Sequence, residues 1–265
     1  MANQSDNGKI VKKGPSGRSY RNATGLTQQP KKMRGRKVSS QRWLTRQLND
    51  PFVAEARKRG FRSRAALKLE QIDDRYNLLK PGMAIVDLGC APGGWLQIAS
   101  IRTKLGVGRA CLVGIDLLDT EGVVGAEIFK GNITELEMLE NVRAATGGAA
   151  DGVLSDMAAD TTGHRATDHL RTTALLEAAL DFALDVLNVN GFFLSKCFRG
   201  GAEQSVLALM QRNFKSVRHV KPAASRAESV ESYVLATGFH GAGRAEDIAA
   251  DIAAGRRHAD GTLII

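Results

Sequence analysis

Three polar residues flank short apolar runs in this 265-residue chain. Asp156 follows Val153-Leu154-Ser155, Lys196 follows Gly191-Phe192-Phe193-Leu194-Ser195, and Glu231 stands just before Tyr233-Val234-Leu235. Polar groups at the ends of buried strands lie where an open α/β sheet holds its ligands. Lys196 is the most informative of the three. Beside an apolar layer its charged form loses hydration, which favours the neutral amine and makes a general base available. Taken singly, each residue reads better as a salt bridge or a strand-end charge, so the case for chemistry rests on the set.

A second cluster is Asp87-Leu88-Gly89-Cys90-Ala91-Pro92-Gly93-Gly94-Trp95, where an apolar run passes into a glycine turn. Gly89, Gly93 and Gly94 let the backbone come close to a ligand. The spacing matches neither the dinucleotide GxGxxG pattern nor the GxxxxGK[ST] phosphate loop, and Pro92 removes an amide that a pyrophosphate cradle would use. Asp116, ending the next apolar run, is placed to accept hydrogen bonds from two ribose hydroxyls. A ribose carboxylate without a phosphate cradle favours S-adenosylmethionine as cofactor, although glycine turns after strands also arise for structural reasons alone. Trp95 opens the following helix, where its ring either closes over the cofactor or packs in the core. Asn132, in Gly131-Asn132-Ile133, reads from spacing as a turn or N-cap residue. Analogy with folds of this kind also places it at the adenine.

These residues need a sheet to position them. From Lys80 onward, short apolar runs alternate with longer amphipathic stretches, the pattern of an α/β fold with a mostly parallel sheet. Seven strands are predicted at 84–88, 110–116, 126–130, 152–156, 192–196, 216–220 and 232–237. Helices are predicted at 95–104, 135–145, 166–187 and 203–213, after a basic helical stretch over 52–77. Residues 41–240 form one Rossmann-like domain. Residues 1–40, rich in Gly, Ser, Asn, Gln and basic residues, cannot offset their ordering entropy and are expected to be disordered. Residues 241–265 form a tail of unassigned role, with a short helix expected at 245–254.

Charge separates the chain into two parts. Residues 1–68 carry 18 Lys and Arg against 3 Asp and Glu, a balance of +15, whereas the remainder balances at −6. A basic segment of this kind suits a polyanion partner through counterion release, or else serves solubility as a solvated tail. No apolar run approaches the roughly 20 residues that span a bilayer, and no secretory signal opens the chain. The three cysteines, Cys90, Cys111 and Cys197, lack zinc-ligand spacing and suit a reducing cytoplasm, so no metal is expected.

With these residues in view, the chain resembles the FtsJ/RlmE ribosomal RNA large-subunit 2′-O-methyltransferases. The resemblance rests on Ser39-Ser40-Gln41-Arg42-Trp43-Leu44, Arg62-Ser63-Arg64-Ala65-Ala66-Leu67-Lys68-Leu69, Pro81-Gly82-Met83 with Val86 to Trp95, Ser155-Asp156-Met157-Ala158, Lys196-Cys197-Phe198, and Ser225-Arg226-Ala227 through Glu231-Ser232-Tyr233 to Gly238. It implies a class I S-adenosylmethionine-dependent methyltransferase fold with helices on both faces of the sheet. It places a catalytic Lys-Asp-Lys-Glu tetrad on Lys68, Asp156, Lys196 and Glu231, with Lys196 as general base. Cofactor contacts fall on Gly93, Trp95, Asp116, Asn132 and Asp156. Two positions depart from the common pattern, Asn132 for Asp and Ala159 for Pro.

The implied reaction is 2′-O-methylation of an A-loop uridine in 23S rRNA on the 50S subunit, by a cytoplasmic monomer. Arg57 to Arg64 would grip RNA phosphates around Lys68. Relatives with the same tetrad also modify tRNA or mRNA caps. A protein that kept the fold but lost turnover would be an RNA-binding assembly factor, expected to show a broken tetrad or a filled cofactor loop. A nicotinamide oxidoreductase would need the dinucleotide glycine pattern.

Overall fold

The computed structural model describes residues 41, 44–45, 47–104, 110–198, 204–226, 229–241 and 253–255. The sequence expectations for 1–40 and for the helix at 245–254 fall almost wholly outside these residues. Thirteen elements follow one another among the described residues beyond Pro51. They are α1 (Pro51–Lys58), α2 (Ala65–Tyr76), β1 (Ala84–Leu88), α3 (Gly94–Thr103), β2 (Cys111–Asp116), β3 (Ala126–Lys130), α4 (Leu136–Thr146), β4 (Ala150–Ser155), α5 (Arg165–Val186), β5 (Leu187–Phe198), α6 (Gln204–Asn213), β6 (Phe214–Val220) and β7 (Glu231–Phe239). The seven strands form one sheet in the order β3-β2-β1-β4-β5-β7-β6. Strands β1 to β5 pair in parallel, and β7 runs antiparallel to both β5 and β6.

The basic stretch over 52–77 is two helices rather than one. Asp50 caps α1 by accepting from the Phe52 N–H at 3.0 Å, and Pro51 occupies the first turn, where a missing N–H costs nothing. The chain then breaks at Gly60, whose φ of 75° is left-handed and incompatible with continuing the helix. Four strands begin earlier than the apolar pattern suggests, β6 at Phe214 and β7 at Glu231 among them. In β5, residues 187–191 extend the strand back to the end of α5, and β4 starts at Ala150, two residues before the predicted start.

Alternation along the strands divides the core in two. Val86, Leu88, Val113, Val153, Phe193, Cys197, Val234 and Ala236 pack with Met138 and Val142 of α4, Leu176 and Leu180 of α5 and Met210 of α6. Ile85, Leu112, Leu154, Phe192, Leu194, Tyr233 and Leu235 pack on the opposite face with Ala66, Leu69 and Ile72 of α2 and Trp95, Leu96 and Ile98 of α3. Helices therefore cover both faces. Where β4 and β5 meet, Gly152 pairs with Phe192, and a Cβ added at Gly152 would lie 2.3 Å from the Phe192 ring. Gly152→Ala should therefore lower stability by about 1–3 kcal/mol through overpacking, read as a shift in the denaturant midpoint without a change in m.

Candidate active site

The parity that splits the core also gathers the polar residues. Lys196 shares the face of Phe192 and Leu194 on β5, and Glu231 and Tyr233 share the face of Leu235 on β7. All of them point toward α2 and α3. Asp156 lies one residue beyond β4, whose Leu154 is on this face, and Lys68 comes from α2 above it. Because β4, β5 and β7 are neighbours in the sheet, the four residues converge.

Asp156 is the hub of the cluster. Its Oδ1 accepts from Lys196 Nζ at 2.8 Å and from the Tyr233 hydroxyl at 2.7 Å, and Lys196 Nζ also donates to the Asp156 carbonyl at 2.7 Å. Lys68 Nζ lies 3.9 Å from Asp156 Oδ2 and 2.7 Å from Glu231 Oε1, which also accepts from Ser225 Oγ at 2.9 Å. Burial alone would push the Asp156 carboxyl up, but the Lys196 and Lys68 charges and the hydrogen bonds from Lys196 and Tyr233 outweigh it and hold the group below its usual range. Asp156 is therefore ionised. Burial, then the charges of Asp156 and Glu231, push the Tyr233 phenol well up, so Tyr233 remains a proton donor.

The glycine turn lies beside this cluster at the ends of β1 and β2. Gly89 and Gly93 both have positive φ, and a Cβ on Gly89 would meet Met157 Cγ at 2.4 Å. The Gly89 and Cys90 amides donate to the Ile115 carbonyl, while Asp116 Oδ2 accepts from the Ala91 amide and Oδ1 from Leu118, each at 2.8 Å. Those two bonds leave lone pairs on the Asp116 carboxylate for hydroxyl donors. The first-turn amides of α3, which opens at Gly94, have no partner within the helix.

Asp87 is 1% exposed, and neither of its carboxyl oxygens has a hydrogen-bond partner. Burial, then the charges of Asp156 and Asp116, push its carboxyl well above the ordinary value. Three carboxyl groups close enough to feel one another suit a ligand that carries positive charge and repel a polyphosphate. A sulfonium nucleoside with an α-ammonium group has that character, so these residues fit S-adenosylmethionine. An acid whose folded-state pKa is raised favours the fold below its unfolded value of about 3.9, and that contribution is lost as pH climbs toward the folded value. Asp87→Asn should therefore raise the melting temperature of the unliganded protein at pH 7. It should also weaken binding of the cofactor about tenfold or more, because the buried carboxyl that a cationic ligand would ionise and pair with is lost; calorimetric titration and melting read the two effects separately.

The predicted site residues separate on inspection. Lys68, Asp156, Lys196 and Glu231 meet in one cluster, and Gly93 and Asp116 lie in adjoining loops. The Trp95 ring is in the core at 3% exposure, with Nε1 donating to the Ala65 carbonyl at 2.8 Å and its centroid 5.7 Å from that of Tyr233. Its backbone opens α3 beside the glycine turn. Exposed Asn132 has its Oδ1 engaged by the Thr134 amide at 3.1 Å, the turn role that spacing suggests. The row of cations from Arg57 to Arg64, expected to grip RNA, is largely committed within the protein. Arg59 pairs with Glu70, and Arg64 with Asp50 and the Ala224 carbonyl, while Arg62 donates to three backbone carbonyls. Tyr233, Ser225 and Asp87 were given no role by sequence reasoning. Tyr233 was within its reach, because a residue two places after Glu231 on a strand shares its face.

Comparison with known proteins fits this geometry. Residues 61–239 match the model of the FtsJ-like methyltransferases. The chain belongs to that family. Among curated relatives, the ribosomal RNA large subunit methyltransferase E of Gluconobacter oxydans is 56% identical over 206 residues, covering 78% of this chain and 75% of that protein. The protein of the same name from Maricaulis maris is 50% identical over 231 residues, covering 87% and 80%. A crystal structure from Plasmodium falciparum, assigned as a ribosomal RNA methyltransferase, superposes with a TM-score of 0.61 at 28% identity, covering 68% of this chain and all of the other. As an FtsJ-like methyltransferase, the chain has the mostly parallel seven-stranded Rossmann-like sheet expected from its sequence.

Proposed function

We propose that this methyltransferase transfers a methyl group from S-adenosylmethionine to the ribose 2′-hydroxyl of an A-loop uridine in 23S rRNA, acting as a monomer on the 50S subunit in the cytoplasm. The observation that carries the reading is the convergence of Lys68, Asp156, Lys196 and Glu231 beside the 89–94 turn. When bound, the cofactor supplies an electrophilic methyl carbon on a sulfonium. Gly93, Asp116, Asp156, Asp87 and the backbone of Trp95 would hold it, with Asn132 near the adenine.

Lys196 serves as general base. The Lys196 ammonium has three N–H positions, and two of them are used at Asp156, on its carbonyl and its Oδ1. The third is the one free to face the hydroxyl, and once its proton is given up the lone pair there would accept the hydroxyl proton. Asp156 cannot swing away, because Tyr233 holds the same oxygen. Lys68 draws on the same carboxylate and is anchored by Glu231, which Ser225 in turn orients. Fixing base and hydroxyl in this way converts an encounter into positioning, worth up to about 7–11 kcal/mol of barrier. A broken tetrad would have favoured an assembly factor without turnover, and all four residues are present and paired.

Labelled methyl transfer to 50S particles, naked 23S rRNA and tRNA, with mapping of the modified nucleotide, tests the reading. One labelled A-loop uridine, strongest on 50S, is expected. Labelling of tRNA alone, or cofactor binding without transfer to any RNA, overturns it.

A further inference from the structure

We propose that Arg62 is a positioning residue for the cofactor rather than a contact to RNA phosphate. It lies in the turn between α1 and α2, and its guanidinium reaches across two loops. Nη1 donates to the Pro92 carbonyl at 3.0 Å and to the Glu121 carbonyl at 2.6 Å, and Nη2 donates to the Gly122 carbonyl at 2.7 Å. Pro92 belongs to the glycine turn after β1. Glu121 and Gly122 belong to the loop that leaves Asp116 at the end of β2. One planar fork thus joins the two loops between which an adenosine moiety would lie.

Two further observations show that the strap is built in. The backbone of Arg62 is fixed to α3, since its N–H donates to Gln97 Oε1 at 2.9 Å while Gln97 Nε2 donates to the Gly60 carbonyl at 3.1 Å. The turn is shaped to receive the guanidinium: a Cβ at Gly93 would lie 2.6 Å from Arg62 Nη1 and 3.1 Å from Val123 Cγ2, so only glycine lets both pack on it. The Arg62 side chain is 22% exposed, and its nearest carboxylate oxygen, on 90% exposed Glu121, is 3.8 Å away. Pulling it outward to a phosphate would leave three carbonyls without their donor. Lysine lacks the planar fork that spans three acceptors in fixed directions.

The inference rests on the reading that these loops hold S-adenosylmethionine. The test titrates S-adenosylhomocysteine into the wild type, Arg62→Lys and Arg62→Ala by calorimetry, and measures binding of 23S rRNA as a function of salt. Arg62→Lys should raise the Kd for S-adenosylhomocysteine roughly tenfold, equivalent to about 1.4 kcal/mol. The KM for S-adenosylmethionine should rise by a larger factor than kcat falls, and amides 118–123 should exchange faster in the unliganded variant. Exchange in Arg62→Lys keeps the inference testable even if the alanine variant does not fold. The slope of log K for RNA against log salt should not change in Arg62→Ala. Cofactor affinity within twofold of wild type in Arg62→Lys overturns the inference, as does an RNA slope shallower by about one in Arg62→Ala with cofactor affinity intact. A wild type that does not bind S-adenosylhomocysteine would instead overturn the cofactor reading beneath it.

Discussion

Lys196→Ala is expected to lower methyl transfer by about 10²–10⁴-fold while leaving the affinity for S-adenosylmethionine within a few-fold of wild type. The split follows from where the side chain sits. Its Nζ bonds are to Asp156 alone among the described residues, on the β4, β5 and β7 side of the cluster, whereas Gly93, Asp116 and Asp87 line the β1 and β2 side. Removing the amine deletes the proton acceptor and leaves the cofactor loops in place. Single-turnover assays with saturating cofactor, paired with calorimetry on the same variant, read the two quantities. Turnover retained at the wild-type rate would remove Lys196 from the base role.

Asp156→Asn is expected to abolish transfer and also to destabilise the fold, a combination that separates it from Lys196→Ala. An amide keeps the shape but leaves Lys196 and Lys68 without the carboxylate they share, in surroundings where both side chains are about nine-tenths buried. Breaking a buried ion pair by removing one partner costs about 3–5 kcal/mol. For a domain of this size, that corresponds to a fall in Tm of roughly 6–20 °C.

The acid dependence should change as well. A carboxyl whose folded-state pKa is depressed contributes stability above its unfolded value of about 3.9, and the contribution is lost as pH falls through the folded value. The variant should therefore lack part of the loss of stability below about pH 4 that is expected of the wild type. Adding Lys196→Met to Asp156→Asn should recover some of the lost stability, because it removes an orphaned charge. Denaturant unfolding from pH 2 to 8 on the three proteins measures all of this. Identical acid limbs in wild type and Asp156→Asn would show that Asp156 is not held ionised by its neighbours.

Much of the site could be read along the chain because strand parity is a local property. Lys196 shares a face with Phe192 and Leu194, and Glu231 with Tyr233 and Leu235, whatever the partner strands are. The same regularity made β1 and β3 legible to the residue. It failed where apolar signal was missing: Asn188 and Asn190 hide the first half of β5, and Gly60 divides the basic helical stretch expected over 52–77. Trp95 was ambiguous for a related reason. A large aromatic at the start of a helix suits either a ligand or a core, and only the position of the Ala65 carbonyl and the Tyr233 ring decides between them.

The sequence by itself determined the Rossmann-like alternation, the glycine turn with its Asp116 partner, and the strand-end placing of Asp156, Lys196 and Glu231, since each depends on residue type and short-range spacing; Lys68 joined them only through the family resemblance. The tertiary structure decided how those residues are wired. That Asp156 is shared by Lys196, Lys68 and Tyr233 requires β4, β5 and β7 to be neighbours, an order set by packing between distant segments. It also decided which charges are spent inside the protein. Arg62 and Arg64 look alike in a basic run, yet one is taken up by Pro92, Glu121 and Gly122 and the other by Asp50 and Ala224. A charge's partner lies across the fold, up to 160 residues away in the case of Arg64, and no local pattern encodes it.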